Sequence, residues 1–156
     1  MIWPIWNVLQ WICRLFLGGI FIVAGYAKIA EPFQFEMAIE SYQLLPVWGV
    51  IAVARALPWI EVALGLLLLR GWKLHWFSSF CAALLGFFLV TMAVTYARGI
   101  EATCGCFGFG EPVSGWTLTR DSMILVVAAY LTAYSWKMRR PRAVESQSLP
   151  AEPLPT

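Results

Sequence analysis

The sequence predicts an all-α fold, an integral membrane four-helix bundle with a short amphipathic helix in its first outer loop. Composition is the first observation behind this prediction. Of 156 residues, 60% are hydrophobic and only 13% are charged, whereas a soluble domain carries about 25% charged residues. The second observation is a set of four apolar stretches. Their length suits a hydrocarbon core of about 30 Å, which a helix of roughly 20 residues crosses.

The four predicted spans lie in one membrane domain, residues 1–137. They cover about residues 8–30, 50–69, 74–97 and 120–136, and the last is the shortest and begins with polar residues. Residues 98–119 form the loop before the fourth span. The chain from 138 to 156 combines four prolines with Ser, Glu and Gln. Such a segment buries too little apolar surface to fold, so a disordered tail is expected.

Basic residues near the span ends set the expected orientation, because positive charge collects on the cytoplasmic side of a membrane. The short second loop carries Arg70 and Lys73, and the tail carries further Lys and Arg residues. We therefore expect a bacterial inner-membrane protein with both termini in the cytoplasm. The first and third loops then face the periplasm. No charged residue precedes Arg14, so the first span is not expected to be a cleaved signal peptide.

The first outer loop contains the predicted amphipathic helix, residues 33–45. Phe35, Ile39 and Tyr42 fall on one side of it, opposite acidic and amide side chains, and Pro46 ends it. We expect this helix to lie along the outer membrane surface, over the mouth of the bundle.

Several charges fall within or at the ends of the predicted spans, where they are costly and usually paired. Arg14 and Glu61 are expected at nearly the same depth, so we predict an intramembrane charge pair between them, acting chiefly as a structural clamp. Lys28 and Arg55 lie near the outer surface, and their role has two interpretations. In the first, their long side chains extend to the lipid headgroups. In the second, they form an electropositive mouth that favours a thiolate or holds an anionic or quinone-like partner. Trp59, inside the second span, is interpreted as a packing residue.

The third loop contains the most informative motif, Cys104-Gly105-Cys106-Phe107-Gly108. Two thiols one residue apart are close enough to form a disulfide, the glycines permit tight turns, and disulfides persist in the periplasm. The pair is interpreted as redox-active, and a static structural bridge or a metal-binding pair remain alternatives. Residues expected to support the exchange site are Lys28, Arg55, Arg98, Gly105, Phe107 and Gly108.

Other functional classes find little support in the sequence. A net charge of +2 without a basic face argues against nucleic-acid binding. A closed zinc site needs four ligands, and the only histidine, His75, is predicted on the opposite side, so no metal site is assigned. No nucleotide or flavin motif is present, and no cofactor is firmly implied. Cys13 and Cys81 lie within spans and are interpreted as small apolar side chains.

An ordered series of motifs across about residues 10–135 resembles the MauE branch of the DoxX-like membrane proteins. The resemblance implies a four-helix membrane protein with a part in making or maintaining disulfides in periplasmic proteins, methylamine dehydrogenase being the named client. The wider DoxX group is linked to quinone-coupled sulfur oxidation. The motifs are Arg14-Leu15-Phe16-Leu17-Gly18, Ala24-Gly25-Tyr26-Ala27-Lys28, Tyr42-Gln43-Leu44-Leu45-Pro46, Leu57-Pro58-Trp59-Ile60-Glu61 with Gly65, Arg98-Gly99 and the cysteine motif.

The function predicted from these features is thiol–disulfide exchange at the periplasmic face. One of Cys104 and Cys106 attacks a disulfide and the other resolves the mixed intermediate. The expected partners are a periplasmic client or thioredoxin-like protein and the lipid bilayer, a membrane quinone is a further candidate, and a homo-oligomer is compatible with the sequence. One alternative is a thiophilic metal-ion transporter that uses Cys104, Cys106 and Cys13. Another is a non-catalytic membrane subunit that assembles a periplasmic or quinone-linked oxidoreductase.

Overall fold

The computed structural model describes residues 3–104 and 111–147, with side chains described for residues 7–104 and 111–138. Within these ranges the fold is all-α, which confirms the predicted class. The only extended pairing among the described residues is an isolated antiparallel bridge between Thr103 and Pro112. The five helices are α1 Trp3–Ala30, α2 Pro32–Ser41, α3 Val47–Arg70, α4 Leu74–Ala97 and α5 Gly115–Gln147.

Three of the helices are long and apolar enough to cross a membrane. These candidate spans are Asn7–Ala30, Val47–Arg70 and Leu74–Ala97, and the third coincides with the predicted span 74–97. Large apolar side chains point away from the protein along them, for example Val23, which is 62% exposed, and Phe87, which is 69% exposed. An outer surface of this kind is expected where lipid, rather than water, surrounds the helices.

Helices α1 and α3 pack closely and run antiparallel. A Cβ atom on Gly25 would come within 2.8 Å of the Pro58 carbonyl oxygen, and one on Gly65 would come within 2.8 Å of the Gly18 carbonyl oxygen. Only glycine permits so close an approach of the two backbones, and small residues at helix contacts are typical of membrane proteins. The close contact fixes the register of α1 against α3.

All four long helices share one apolar core. Cys81 of α4 is buried in it and Cys13 of α1 packs against it, in line with their interpretation as small apolar side chains. The buried members of the core are Leu17, Phe21, Leu64, Leu68, Cys81, Ile124, Ala128 and Leu131.

The amphipathic helix of the first loop is present, but it is shorter than predicted and faces the protein. Helix α2 ends at Ser41, and Gln43 takes a left-handed conformation with φ of 52°, which interrupts the helix before Pro46. Phe35 is buried and packs against Ala54 and Leu57 of α3. The apolar side of α2 therefore covers this end of the bundle, as expected.

Helix α5 begins earlier and ends later than the fourth predicted span. Its start is set by Ser114 and Thr117, which exchange hydrogen bonds: Thr117 N donates to Ser114 Oγ at 3.4 Å, and Ser114 N donates to Thr117 Oγ1 at 2.9 Å. This reciprocal pattern is a capping box. The helix continues to Gln147, so the expected disordered tail differs from the structure over residues 138–147. Met, Arg, Ala, Glu and Gln in this stretch favour helix, and three of the four tail prolines lie beyond it.

Candidate functional site

The third loop folds back on itself beside the cysteine motif. Cys104 N donates to the Glu111 carbonyl oxygen at 2.7 Å, and Val113 N donates to the Ala102 carbonyl oxygen at 2.9 Å. These two bonds flank the Thr103–Pro112 bridge, so Cys104 and Glu111 are held side by side. The predicted site residues Gly105, Cys106, Phe107 and Gly108 lie outside the described residues.

The first loop anchors the third. Thr103 N donates to Ser41 Oγ at 3.2 Å, and the Ser41 hydroxyl donates to the Ala38 carbonyl oxygen at 2.6 Å. Ser41 is the last residue of α2, so the end of this helix contacts the residue next to Cys104. Cys104 and the amphipathic helix therefore lie at the same end of the bundle.

The Cys104 side chain is buried between α4 and α5. It is 1% exposed, and its Sγ atom lies 3.9 Å from Sδ of Met92, which is also buried. The second neighbour of the sulfur is Arg120, whose Nη2 atom lies 3.6 Å away. A cationic donor at this distance stabilises a thiolate relative to a thiol.

Arg120 is the functional candidate that sequence reasoning missed. Its guanidinium reaches three acceptors: Nε donates to Asp121 Oδ1 at 3.1 Å, Nη1 to Glu111 Oε2 at 3.3 Å, and Nη2 to Cys104 Sγ. It thus holds both residues that border the 105–110 segment. The available signal was the adjacent pair of opposite charges, Arg120 and Asp121, at the start of an apolar stretch. The predicted supporting residue Arg98 is instead exposed at the end of α4.

The buried ion pair inside the bundle joins Lys28 to Glu61. Lys28 Nζ lies 2.9 Å from Oε1 and 2.7 Å from Oε2 of Glu61, and the two residues are 2% and 5% exposed. The Lys28 ammonium also lies 5.3 Å from the centre of the Phe35 ring of α2. This arrangement replaces the predicted Arg14–Glu61 pair.

Arg14 lies at the other end of the α1–α3 contact. Its Nε donates to the Leu68 carbonyl oxygen at 3.1 Å and its Nη2 to the Leu69 carbonyl oxygen at 2.7 Å. These carbonyls belong to the last turn of α3, where backbone acceptors lack partners within the helix. Lys28 lies fourteen positions after Arg14 along α1, which is about 21 Å of helix. The antiparallel register therefore places Arg14 far from Glu61. The prediction failed because it estimated the depth of each residue from the ends of the predicted spans.

The predicted electropositive mouth is only partly assembled. Lys28 and Arg55 line one recess between α2 and α3, but Lys28 is paired with Glu61. Trp59 lines the same recess and is 65% exposed, so its interpretation as an interior packing residue is wrong. The positive charge beside Cys104 comes from Arg120, a residue of α5.

A small cavity lies between the ion pair and Asp121, the residue next to Arg120 in α5. It has a volume of about 30 Å³, and its polar lining comes from Lys28, Glu61 and Asp121. Asp121 is buried and accepts the bond from Arg120. Among the described residues, no group of three or more His, Cys, Asp or Glu side chains is placed to hold a metal ion.

Comparisons with known proteins give a consistent family. A family model described as "Methylamine utilisation protein MauE" matches residues 6–134. The methylamine utilization protein MauE of Paracoccus denitrificans is 30% identical over 126 residues, which are 79% of this chain and 67% of that protein. The protein of the same name from Paracoccus versutus is 30% identical over 124 residues, 78% of this chain and 67% of that protein. The protein of this name from Methylorubrum extorquens is 27% identical over 124 residues, which are 78% of this chain and 66% of that protein.

These matches span about two thirds of the relatives' length. No solved structure matches the chain with significant similarity. Since the family model covers most of its sequence, this multi-pass membrane protein, with its three candidate spans, belongs to the MauE family of methylamine utilisation proteins.

Proposed function

We propose that this chain exchanges disulfides with a periplasmic partner through Cys104 and Cys106, at the outer face of a four-span bundle in a bacterial inner membrane. As the resemblance to the MauE branch implies, the exchange would serve maturation of a methylamine dehydrogenase or a similar periplasmic enzyme. The observation that carries the proposal is the contact of Arg120 Nη2 with Cys104 Sγ at 3.6 Å. A guanidinium beside a sulfur favours the thiolate, the form of cysteine that reacts in disulfide exchange.

The contact between the two outer loops supports the proposed topology. Because Thr103 bonds to Ser41, the first and third loops share one end of the bundle, and the basic second loop, with Arg70 and Lys73, lies at the other end of α3 and α4. Positive charge favours the cytoplasmic side for that second loop. Helix α5 contributes to the core shared with the three candidate spans, which favours its inclusion as a fourth span.

Thiol–disulfide exchange needs no cofactor in the protein. The thiolate of one cysteine attacks a disulfide sulfur of the partner, the partner's S–S bond breaks, and a mixed disulfide forms. The second cysteine then attacks the mixed disulfide, the partner leaves as a dithiol, and Cys104 and Cys106 are joined. The reverse sequence oxidises a partner. The relative reduction potentials of the two pairs set the direction.

The burial of Cys104 suggests how the two roles divide. Cys104 is 1% exposed, so its sulfur is shielded from a bulky protein disulfide by α4 and α5. We therefore assign the first attack to Cys106 and the resolving step to Cys104, whose thiolate Arg120 stabilises.

Trapping of mixed disulfides tests this proposal. In Cys104→Ser the intermediate on Cys106 cannot be resolved, so a disulfide-linked adduct with a periplasmic protein accumulates, more strongly than in Cys106→Ser. Cys81→Ser, a substitution in the shared core, is the matched control and accumulates no adduct. If neither loop variant forms adducts and both still support the partner enzyme, the exchange role is wrong and a non-catalytic assembly role replaces it.

One observation favours a second function, the handling of a thiophilic metal ion. The Met92 thioether lies 3.9 Å from Cys104 Sγ, and paired soft sulfur ligands suit ions such as Cu(I). The Arg120 guanidinium at 3.6 Å repels a cation at the same place, which is why exchange is preferred. Met92→Leu separates the two functions: exchange survives the substitution, whereas a metal site would lose affinity for Cu(I).

A further inference from the structure

The charged residues beside Cys104 continue into the bundle. Arg120 bonds to Cys104 and to Asp121, and Asp121 lines the same cavity as the Lys28–Glu61 pair. About 30 Å³ is enough for one or two water molecules, since one water occupies roughly 10–15 Å³ measured in this way. The cavity thus brings three charged side chains, Lys28, Glu61 and Asp121, together in a largely apolar lining, and a single guanidinium links it to the sulfur.

Apart from the solvent-exposed Glu111 carboxylate, the charges of this group balance only while Cys104 is uncharged. Arg120 faces Asp121, and Lys28 faces Glu61 through two hydrogen bonds. A thiolate on Cys104 adds one negative charge that competes with Asp121 for the same guanidinium. In a region sheltered from water, an uncompensated charge is strongly unfavourable.

We propose that Asp121 is a proton-binding site that takes up one proton when Cys104 becomes a thiolate. The inference rests on the proposed exchange function and adds a proton-coupled step to it. Protonation of the carboxylate restores the balance of charge and leaves the Arg120 guanidinium to the sulfur. The cavity provides room for water through which the proton reaches Asp121.

The groups around Asp121 make it the preferred acceptor. From α1 it faces Lys28, from α3 Glu61, from α5 Arg120 and from the third loop Glu111, while α4 contributes only apolar side chains to the cavity. Glu61 already holds the Lys28 ammonium with both oxygens. The Glu111 side chain is 58% exposed, so solvent screens its charge. Asp121 is the buried carboxylate whose cationic partner is shared with the reacting sulfur.

The step balances when the reductant is a dithiol of the partner protein. The partner dithiol supplies two electrons and two protons, and its two sulfurs become a disulfide. The Cys104–Cys106 bond breaks. One proton remains on the Cys106 thiol, and the other is held by Asp121 while Cys104 is a thiolate.

The pH dependence of the reduction potential tests the inference, using the full chain in lipid nanodiscs equilibrated with thiol–disulfide buffers. Each proton taken up per disulfide changes the equilibrium constant tenfold per pH unit, which for two electrons is about 30 mV. We expect the native protein to take up two protons for each disulfide reduced and Asp121→Asn to take up one. The matched control is Glu101→Gln, an exposed carboxylate of the same loop, which retains the native dependence.

Equal pH dependence in the native protein and Asp121→Asn would overturn the inference while leaving the exchange function intact. Absence of any reversible couple would overturn both. Should Asp121→Asn fail to fold, the native protein gives the answer by infrared difference spectroscopy. Reduction is then expected to produce a new protonated-carboxyl band, and its absence contradicts proton uptake.

Discussion

The Nζ atom of Lys28 lies within 2.9 Å of both carboxylate oxygens of Glu61, so a buried ion pair joins α1 to α3. Burial of two charges is tolerable only because each satisfies the other. The pair lies beneath Phe35 of α2, which shields it at the end of the bundle where the cysteine loop is attached.

Removal of one partner of this pair should be costly. Glu61→Gln leaves the Lys28 ammonium buried without its counter-charge, and we expect a loss of about 3–5 kcal/mol in the free energy of unfolding. The double variant Lys28→Met, Glu61→Leu should lose much less than the sum of the single changes. Denaturant titration in detergent micelles measures both. Additive effects would show that the two side chains do not form a functional pair.

Arg14 and Glu61 should behave as independent residues. Arg14→Met removes two hydrogen bonds to the last turn of α3, and we expect a loss of about 1–3 kcal/mol. In a double-mutant cycle with Glu61→Gln, the coupling energy should stay below about 0.5 kcal/mol, as for distant sites. A larger coupling energy would show that Arg14 and Glu61 interact, as their expected depths in the membrane predicted.

The close contact of α1 with α3 should not accept a methyl group at Gly25. Gly25→Ala would place Cβ 2.7 Å from Val62 Cγ2 and 2.8 Å from the Pro58 carbonyl oxygen, and overpacking of this kind costs about 1–3 kcal/mol. Gly19→Ala, on the same helix, has no neighbouring atom within 4 Å and serves as the control. The midpoint of thermal unfolding should be clearly lower for Gly25→Ala than for Gly19→Ala. Equal stability of the two variants would contradict the register described above.

Arg120 should control the reactivity of the cysteine pair. Without the guanidinium, the Cys104 thiolate loses a charge-assisted hydrogen bond worth about 1.5–3 kcal/mol, equivalent to roughly one pH unit or more. Alkylation of reduced Cys104 should therefore need a correspondingly higher pH in Arg120→Gln, while Arg120→Lys should fall between the two. Alkylation rates across pH, resolved by peptide mass spectrometry, measure this effect. Arg98→Gln, which removes an exposed cation near the same loop, should match the native profile, and the same profile in Arg120→Gln would refute the role of Arg120.

Hydropathy was sufficient to locate most of the fold. Helix α4 has the bounds predicted for the third span because its apolar run lies between Lys73 and Arg98. Helix α5 starts at Gly115, five residues before the predicted start of the fourth span. Its start depends on the hydrogen bonds between Ser114 and Thr117, and a search for apolar stretches does not detect such a short polar motif. The early end of α2 depends on the left-handed conformation of Gln43, which residue type alone does not specify.

The site was only partly predictable because its geometry depends on register. The spacing of Cys104 and Cys106 identified the cysteine motif, and the pattern of spans predicted that it lies at one end of the bundle. The sequence also showed which charges lie near the membrane, but not which of them meet. Lys28 pairs with Glu61 because the close approach at Gly25 and Gly65 fixes the register of α1 against α3. Arg120 meets Cys104 because the third loop folds back to the start of α5.

The redox state of Cys104 and Cys106 in growing cells tests the central claim most directly. Cells receive a pulse of a membrane-impermeant reductant, are quenched with acid at intervals, and the two cysteines are followed by differential alkylation and peptide mass spectrometry. The account predicts that the pair is reduced by the pulse and is reoxidised after the reductant is removed, while Cys81 stays a thiol throughout. A pair that the impermeant reductant does not reach, or that is never reoxidised, would contradict disulfide exchange at the periplasmic face.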